Sequence, residues 1–367
     1  MNSSTPLMPN FSGSYALGDV QLLLEQIEMQ HTDVATKERL IQTGEKHYSE
    51  MISLESAPSS LHHNVFAQAQ HDGAARVAHD IQALAMTLSE VMPRPIVLVS
   101  LVRAGLPVGV LLKHALTDMG QTVFHYGVSI VRDRGLDPVA YAHIRAQHAF
   151  SQLVFVDGWT GKGAISRQLT QSITQDPDFD GVTRLVTLAD AGGCAWLAAS
   201  GDDWLIPSGI LGSTISGLIS RSIYRPNQLH GYVLYEHLRD VDQSQNWINT
   251  INNIRRHDLK HSNITPAIWT ESERKVQQQQ ARKAMDWVST QYQVDNINRI
   301  KPSIAEATRV LMRRMPERVL LRNKDDQRTR LLRHLAKLNN APVEIVGDVI
   351  APYHAISIIQ KKRLDDA

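Results

Sequence analysis

The hydrophobic positions of the chain form short, nearly continuous runs separated by helical patterns. Four such apolar runs cover residues 95–102, 122–131, 153–156 and 185–189. Strands that are buried on both faces have this continuous pattern, as in parallel sheets covered by helices. Between the runs, apolar residues recur at helical spacing, for example at Val77, Ile81, Leu84, Leu88 and Val91. The alternation predicts an α/β fold with a doubly wound parallel sheet.

A second, shorter alternation follows near the C-terminus. Ser303 opens a helical pattern, which is followed by strand, helix and strand patterns at residues 318–322, 331–338 and 342–346. This order predicts a small α/β C-terminal domain. The preceding region is polar and glutamine-rich, which is typical of a helical linker. The predicted organisation is therefore an N-terminal domain, a linker and a C-terminal domain over residues 1–245, 246–298 and 299–367.

Composition narrows the class of protein. The chain has 367 residues, of which 43% are hydrophobic and 20% are charged, as in globular proteins. No apolar run approaches the roughly 18 residues that a membrane span requires, and the polar N-terminus predicts no signal peptide. The single cysteine excludes an internal disulfide and fits a reducing compartment. We therefore expect a cytoplasmic protein without a membrane partner, whose oligomeric state the sequence leaves open.

The net charge of +1 hides a strong asymmetry along the chain. From Arg255 onward there are 22 Lys and Arg against 13 Asp and Glu, whereas the preceding residues contain 16 against 24. A basic C-terminal part next to an acidic N-terminal part is typical of proteins that bind anionic partners. The pattern makes RNA a candidate partner, with a solvated basic face as the alternative.

The segment from Leu153 to Ile165 joins a buried strand, an acidic residue and a glycine-rich turn. Asp157 follows the strand, and a helical pattern begins directly after the turn. Glycines allow successive backbone N–H groups to converge, and a helix N-terminus adds about half a positive charge. The arrangement predicts a phosphate-binding turn, for which the candidate residues are Gly158, Thr160, Gly161, Lys162, Gly163 and Ala164.

The Walker A pattern does not match this turn, because Lys162 lies between two glycines with no Ser or Thr after it. The spacing instead resembles the ribose-phosphate signature of type I phosphoribosyltransferases. Asp157 stands at the first acidic position of that signature and Gly163 at its central glycine. Gly158 replaces the second acid, while Lys162 and Ile165 replace the usual threonines. These departures leave a non-catalytic, nucleotide-sensing RNA-binding protein as an alternative.

Two further loops follow neighbouring predicted strands. Arg103, Ala104 and Gly105 come after the run at 95–102 and resemble the pyrophosphate loop of the same transferases. Arg132 and Arg134 follow the run at 122–131, in a charged loop that resembles the mobile loop closing over the ligand, or else is a solvated loop with self-paired charges. Because ligands bind at the carboxyl ends of parallel strands, we expect all three loops to meet at one edge of the sheet.

Four segments along the chain, at residues 11–15, 47–51, 156–165 and 216–221, carry a resemblance to a known family. Through them, nearly the full chain resembles the bacterial phosphoribosyltransferase-like proteins of tellurite-resistance and stress gene clusters, also catalogued as the cysteine protease StiP family. Residues from Ser303 onward resemble the RNA-binding domain of Pelota and L7Ae-type proteins, although Ala305 replaces the asparagine that reads bases. The resemblances imply a type I phosphoribosyltransferase-like fold and a role in nucleoside-like metabolite or RNA base metabolism.

The reaction implied is phosphoribosyl transfer from phosphoribosyl pyrophosphate with Mg²⁺. The turn at 160–164 would hold the 5-phosphate, Asp157 the ribose hydroxyls, and Arg103 with the next two amides the pyrophosphate. Mg²⁺ would be bound through the ligand and not directly by protein groups. Catalysis would then rest on charge stabilisation of the leaving group and on exclusion of water.

Cys194 supports a different class of enzyme. It is the single thiol of the chain and follows the predicted strand at 185–189, so that it would lie near the same edge of the sheet. A cysteine protease needs this nucleophile, a base and donors for an oxyanion. None of the 16 histidines lies at an informative spacing, and a lone cysteine beside a strand is most often an apolar core residue. A cysteine protease using Cys194 is thus the second alternative.

Overall fold

The computed structural model describes residues 10–361. A central sheet in the first part of the chain has the strand order β1-β4-β3-β6-β8-β7, and all pairs along this path are parallel. Two further strands pair with its members, β5 antiparallel with β4 and β9 parallel with β8, while β2 and β10 form a separate parallel pair. The bounds are β1 Gln21–Leu22, β2 Glu25–Gln26, β3 Ile96–Val102, β4 Val123–Val131, β5 Gly135–Leu136, β6 Leu153–Val156, β7 Trp159–Thr160, β8 Leu185–Asp190, β9 Leu197–Ser200 and β10 Gly231–Tyr232.

Helices cover both faces of this sheet, which confirms the prediction of an α/β fold with a parallel central sheet. One apolar cluster joins α2 and α3 to side chains such as Leu98 and Val154, and another joins α4 and α5 to Val97 and Phe155 on the opposite face. Within residues 10–361, no helix is long and apolar enough to cross a membrane. The helices are α1 Val34–Gln42, α2 Ser60–Val91, α3 Gly105–Asp118, α4 Pro138–Arg145, α5 Ala164–Ile173, α6 Ser244–Asn253, α7 Glu271–Gln291, α8 Ile304–Arg313 and α9 Arg330–Leu338.

A separate four-stranded sheet forms the C-terminal domain. Its strands are β11 Ile300–Pro302, β12 Pro316–Leu321, β13 Val343–Ile345 and β14 Ala355–Ile359. The order is β11-β14-β12-β13, with β14 antiparallel to both neighbours and β12 parallel to β13. The sequence patterns identified β12, β13 and both helices but missed β11 and β14. These two strands lie at the two ends of the domain sequence and pair with each other, so their partners are not evident from local pattern.

The polar region before this sheet is partly helical. Helix α7 contains the glutamine run and packs Ala284 and Val288 against Leu320 and Ile356 of the C-terminal sheet. Its start is fixed by Thr270, which forms a capping box with Glu273. The predicted boundaries at 245 and 298 stay predictions.

A buried carboxylate joins the two sheets. Asp203, which is 2% exposed, accepts hydrogen bonds from the backbone N–H groups of Ile304 and His354, each at 2.8 Å. Ile304 and Leu311 of α8 also belong to the same apolar cluster as α2 and α3. Burial raises the pKa of Asp203 to about 7, while the backbone donors act against that rise. The C-terminal domain is therefore docked by both apolar packing and a pair of buried hydrogen bonds.

Replacing Asp203 by alanine should destabilise the docked C-terminal domain. Two buried N–H groups would lose their acceptor, which costs about 2–4 kcal/mol of unfolding free energy in total. Denaturant unfolding would measure the change. Asp202→Ala is the matched control, because its salt bridge with Arg76 lies at the surface and contributes about 0–1 kcal/mol. Equal, small effects of the two substitutions would contradict a docking role for Asp203.

Candidate active site

The glycine turn lies where the sequence predicts it, between β6 and α5. Gly163 adopts the left-handed conformation, with φ of 72°, and stands directly before the first residue of α5. Asp157 accepts a hydrogen bond from the N–H of Gly158 at 2.8 Å. Burial raises the pKa of Asp157 to about 7, with a further rise from Glu306 and an opposing effect of Arg309. Two of the groups that act on this acid thus come from the C-terminal domain.

Lys162 is directed toward the C-terminal domain. Its ammonium group donates to the backbone carbonyls of Ile297 at 2.5 Å and Ile300 at 3.4 Å. Burial lowers the pKa of Lys162 to about 7, and the charges of Lys301 and Arg132 contribute to the shift. The amine is therefore already engaged by carbonyl oxygens.

The loop at Arg103 contacts the glycine turn, as expected from the parallel sheet. A Cβ atom on Gly105 would lie 2.1 Å from the carbonyl oxygen of Val156, and one on Gly158 would lie 3.3 Å from that of Ala104. At position 105 only glycine permits so close an approach of the two loops. Arg103 itself donates to the Glu55 carboxylate at 3.0 Å.

Glu55 is held in place by this pair. Burial acts to raise the pKa of Glu55, but the guanidinium of Arg103 and the N–H of Ser213 outweigh it and lower the pKa to about 2. Ser213 N–H donates to Glu55 Oε1 at 2.8 Å. The positive charge of Arg103 is thus matched by a carboxylate that stays ionised.

The third predicted loop is held by residues from the N-terminal part. The guanidinium of Arg132 lies over the ring of Tyr48, 5.5 Å from its centroid, and Arg132 N–H donates to the Tyr48 hydroxyl at 2.8 Å. Arg134 pairs with Glu50 at 3.4 Å and lies over the ring of Tyr224. The structure therefore brings Arg132 close enough to act on Lys162, while the contacts of Arg134 are with the N-terminal segment and residue 224.

Cys194 lies in the turn after β8, where Asp190 organises the backbone. Asp190 is fully buried and accepts hydrogen bonds from the N–H groups of Cys194 at 2.7 Å and Ala195 at 2.9 Å. It also accepts from the hydroxyl of Thr160 and, at 2.8 Å, from the indole of Trp269. One carboxylate therefore connects the glycine turn, the cysteine turn and the segment that leads into α7.

The thiol lies against the first turn of α5. A Cβ atom on Gly163 would lie 2.5 Å from Cys194 Sγ, and Ser166 donates its hydroxyl to the Cys194 carbonyl at 2.9 Å. The N-terminus of a helix favours a thiolate over a thiol. Burial and the charge of Asp190 nevertheless raise the pKa of Cys194 to about 11, against the opposing effects of Gln278 and Arg167. The thiol is therefore protonated at neutral pH in this conformation.

Helix α7 covers the cysteine turn. A Cβ atom on Gly193 would lie 2.5 Å from both the carbonyl oxygen of Arg274 and the backbone nitrogen of Gln278. The guanidinium of Arg274 donates to the Trp196 carbonyl at 2.7 Å. In the described part of the chain, the hydrogen bonds and charges found at the thiol of Cys194 involve no histidine. A histidine base for a cysteine protease is thus not in place in this conformation.

Sequence reasoning missed Asp190 as an organising residue of this site. The signal was present, because Asp190 follows an apolar strand run just as Asp157 does. The contributions of Gln278 and Trp269 carried no such signal, since both depend on how the C-terminal part of the chain folds back.

No metal site is evident in residues 10–361, where no group of three or more His, Cys, Asp and Glu side chains could hold a metal ion. The sequence prediction placed Mg²⁺ on a bound ligand, with no direct protein ligands, so the prediction of Mg²⁺ stays a prediction.

Comparison with known proteins decides the family. A family model described as tellurite-like stress resistance cysteine protease StiP matches residues 13–252. A curated protein of Acinetobacter baylyi named cysteine protease StiP is 53% identical over 369 residues, which covers 97% of this chain and 96% of the relative. The chain belongs to the StiP family. A second model, described as PELOTA RNA binding domain, matches residues 279–361.

Solved phosphoribosyltransferases match much more weakly. The hypoxanthine phosphoribosyltransferase of Trypanosoma cruzi is 13% identical at a TM-score of 0.28. The match covers 36% of this chain and 82% of the transferase chain. The HGPRT-ase of Leishmania tarentolae in complex with GMP is 14% identical at a TM-score of 0.27. The match covers 47% of this chain and 93% of the HGPRT-ase. Similarity at this level supports no assignment of fold family or activity.

The prediction of a phosphoribosyltransferase is therefore wrong. Both the family description and the name of the Acinetobacter relative denote a cysteine protease, which is the alternative that Cys194 offered. The error came from giving the Asp157 turn more weight than the lone cysteine, although Gly158 already departed from the transferase signature. The predicted ribose-phosphate ligand gains no support from the comparisons. The resemblances to a stress-linked StiP protein and to a Pelota domain are confirmed.

The raised pKa of Cys194 predicts slow alkylation of the folded chain. A rise from 9.0 to about 11 lowers the thiolate fraction about 100-fold at neutral pH, and iodoacetamide reacts with the thiolate. Labelling of the folded chain should therefore be about 100-fold slower than in guanidinium chloride, as measured by intact mass. The labelling rate of the folded chain should still rise with pH beyond 9, where the labelling rate of the unfolded chain levels off. Similar rates at pH 8 in both states would contradict the buried thiol.

Proposed function

We propose that this chain is a thiol-dependent peptidase in which Cys194 is the nucleophile. The observation that carries the proposal is that the chain has one cysteine and belongs to a family described as a cysteine protease. Any thiol chemistry of this protein must use Cys194. The 53% identical relative that is named as a cysteine protease supports the same activity.

The reaction would follow the ordinary course of covalent catalysis. The thiol proton passes to solvent, and the Cys194 thiolate attacks the carbonyl carbon of a peptide bond. The C–N bond breaks, the amine leaves with a proton from solvent, and the acyl group remains on sulfur as a thioester. Water then hydrolyses the thioester and regenerates the thiol. The first turn of α5 supports the thiolate, because helix N-termini favour negative charge.

The described conformation would be a resting one. Burial keeps the thiol protonated, and Gln278 and the adjacent backbone of α7 lie against the cysteine turn. Movement of α7 away from Gly193 would expose Cys194 to solvent and return its pKa toward the ordinary value. Substrate access and thiolate formation would then arise from the same displacement.

Replacing Cys194 by alanine should abolish peptide cleavage. We expect a rate lower by at least about 10³-fold, since removal of a nucleophile leaves only background hydrolysis. The full chain would be incubated with a pool of unfolded proteins, and new peptide termini would be counted by mass spectrometry. Asp202→Ala, an exposed acidic position, serves as the active control. Undiminished cleavage by the alanine variant would exclude Cys194 as the nucleophile.

We also propose RNA as a second ligand, favoured by the Pelota match over residues 279–361. The opening of α8 does not support the binding mode that the sequence suggested, because Ser303 and Ala305 are buried. Exposed basic residues such as Arg330 and Lys337 on α9 are the remaining candidates. Their contribution would be phosphate attraction without base reading.

RNA binding of this kind should depend steeply on salt. If about three phosphates are contacted, the affinity for single-stranded RNA should fall roughly tenfold or more between 50 and 200 mM salt. Filter binding with wild type and with Arg330→Gln and Lys337→Gln variants would test this. A salt-independent affinity, or one that both substitutions leave unchanged, would exclude α9 as the RNA surface.

A further inference from the structure

A cluster of positive charges lies between the glycine turn and the C-terminal domain, outside the thiol chemistry. We define the cationic cluster as Arg132, Lys162, Arg221, Lys301, Arg309 and Arg313. Arg132 and Arg221 lie over the same ring, that of Tyr48, at 5.5 and 5.3 Å from its centroid. Lys162 donates to the carbonyl of Ile300, next to Lys301, and Arg313 follows Arg309 by one turn of α8. The charges of Lys301 and Arg132 also lower the pKa of Lys162. The cations therefore share one region.

The carboxylates of this region do not balance the cluster. Glu55 is paired with Arg103 at 3.0 Å, and both charges act on Arg313, so this pair adds no net charge to the region. Asp157, with its pKa raised to about 7, is only partly ionised at neutral pH. Glu306 pairs with Arg309 at 3.5 Å. Asp133 lies near Tyr48 beside Arg132 and is exposed. Lys162, with its pKa lowered to about 7, is likewise only partly charged. Five full cations and this partial one thus face few available negative charges.

Arg221 shows the imbalance most directly. Its guanidinium donates to the carbonyls of Tyr48 at 2.7 Å and Met51 at 3.0 Å. Its Nε is buried and has no hydrogen-bond partner among the described residues. A buried guanidinium donor without an acceptor costs free energy, so that a bound anion would stabilise the region.

The cluster adjoins the thiol through the glycine turn. Arg167 donates to the carbonyl of Lys162 at 3.0 Å, and its charge acts on both Lys162 and Cys194. Gly163, which follows Lys162, lies against Cys194 Sγ. A ligand bound to the cluster would therefore lie beside the cysteine.

We infer that the cationic cluster binds an acidic segment of the polypeptide substrate, so that the peptidase selects sequences rich in Asp and Glu. This inference rests on the peptidase activity proposed above. Four of the six cations are arginines, whose forked donors match carboxylates. They come from separate segments of the chain, which suits successive carboxylates on an extended peptide better than one compact anion.

The aromatic rings of the region argue against RNA as the occupant. Single-stranded RNA is held largely by base stacking on open aromatic faces. Arg132 and Arg221 lie over the ring of Tyr48, at 5.5 and 5.3 Å from its centroid, and Arg309 lies over that of Trp159 at 5.7 Å. These rings are occupied by guanidinium groups of the protein itself.

Binding of a short labelled peptide of alternating Glu and Gly to the full-length Cys194→Ala variant tests the inference. We expect this peptide to bind at least about tenfold tighter than its Gln-Gly counterpart, with an affinity that falls as salt rises. Lys301→Gln and Arg309→Gln should each weaken binding about tenfold. Arg256→Gln, whose side chain is 46% exposed and pairs with Asp118 at 2.8 Å, is the matched control and should change nothing.

Equal affinity for the Glu and Gln peptides overturns the inference, as do equal peptide affinities of the Lys301, Arg309 and Arg256 variants. Tight binding of an RNA oligonucleotide that the Glu peptide fails to displace assigns the cluster to nucleic acid and likewise overturns it. Thermal unfolding of each variant verifies that it is folded. If a cluster variant fails to fold, the relative affinities of the Glu and Gln peptides for the Cys194→Ala chain alone decide whether the cluster binds acidic peptides. Because the binding assay needs no thiol, it separates the two proposals. If the acidic peptide binds but wild type cleaves no peptide, the proposed peptidase activity is refuted and the acidic-peptide site is supported.

Discussion

The carboxylate of Asp190 is the constraint on which the candidate site depends. It is fully buried at the end of β8 and accepts four hydrogen bonds, from two backbone N–H groups of the cysteine turn, the Thr160 hydroxyl and the Trp269 indole. The four donors serve three requirements of the site: the two N–H groups fix the position of Cys194, Thr160 fixes the shape of the glycine turn, and Trp269 fixes the path into α7. A buried carboxylate is costly unless its hydrogen-bond partners are present. Displacing any one of these segments would therefore leave Asp190 with an unsatisfied oxygen and destabilise the others.

Asp203 has the corresponding role between the domains. It binds the start of α8 and the residue before β14, and the same helix packs its apolar side into the core of the first domain. As a result, the cationic residues of α8 face the strand ends of the parallel sheet. The C-terminal domain thus forms part of the site, since Glu306 and Arg309 act on Asp157 and α7 covers Cys194.

These arrangements give two environments on either side of one glycine turn. On one side the thiol is enclosed and protonated, with Gln278 and Asp190 beside it. On the other side several cations are close enough to depress one another's pKa values. An enclosed nucleophile next to an unbalanced positive region is consistent with an enzyme that rests until a charged substrate enters.

The sequence by itself determined the parallel sheet, its helices and the meeting of the loops at Arg103 and Asp157, because continuous apolar runs and glycine turns are local signals that a buried sheet requires. It also determined that any thiol chemistry must use Cys194, and it misled where the turn at Asp157 was taken as evidence of phosphoribosyl transfer. Only the tertiary structure decided that Lys162 bonds to Ile297 and Ile300, that Ala305 is buried, and that α7 covers the cysteine. The contacts of Lys162 join residues 135 and 138 positions apart, and α7 meets the cysteine turn from more than 80 positions away. Such pairings arise from packing between distant parts of the chain, which local pattern and spacing do not encode.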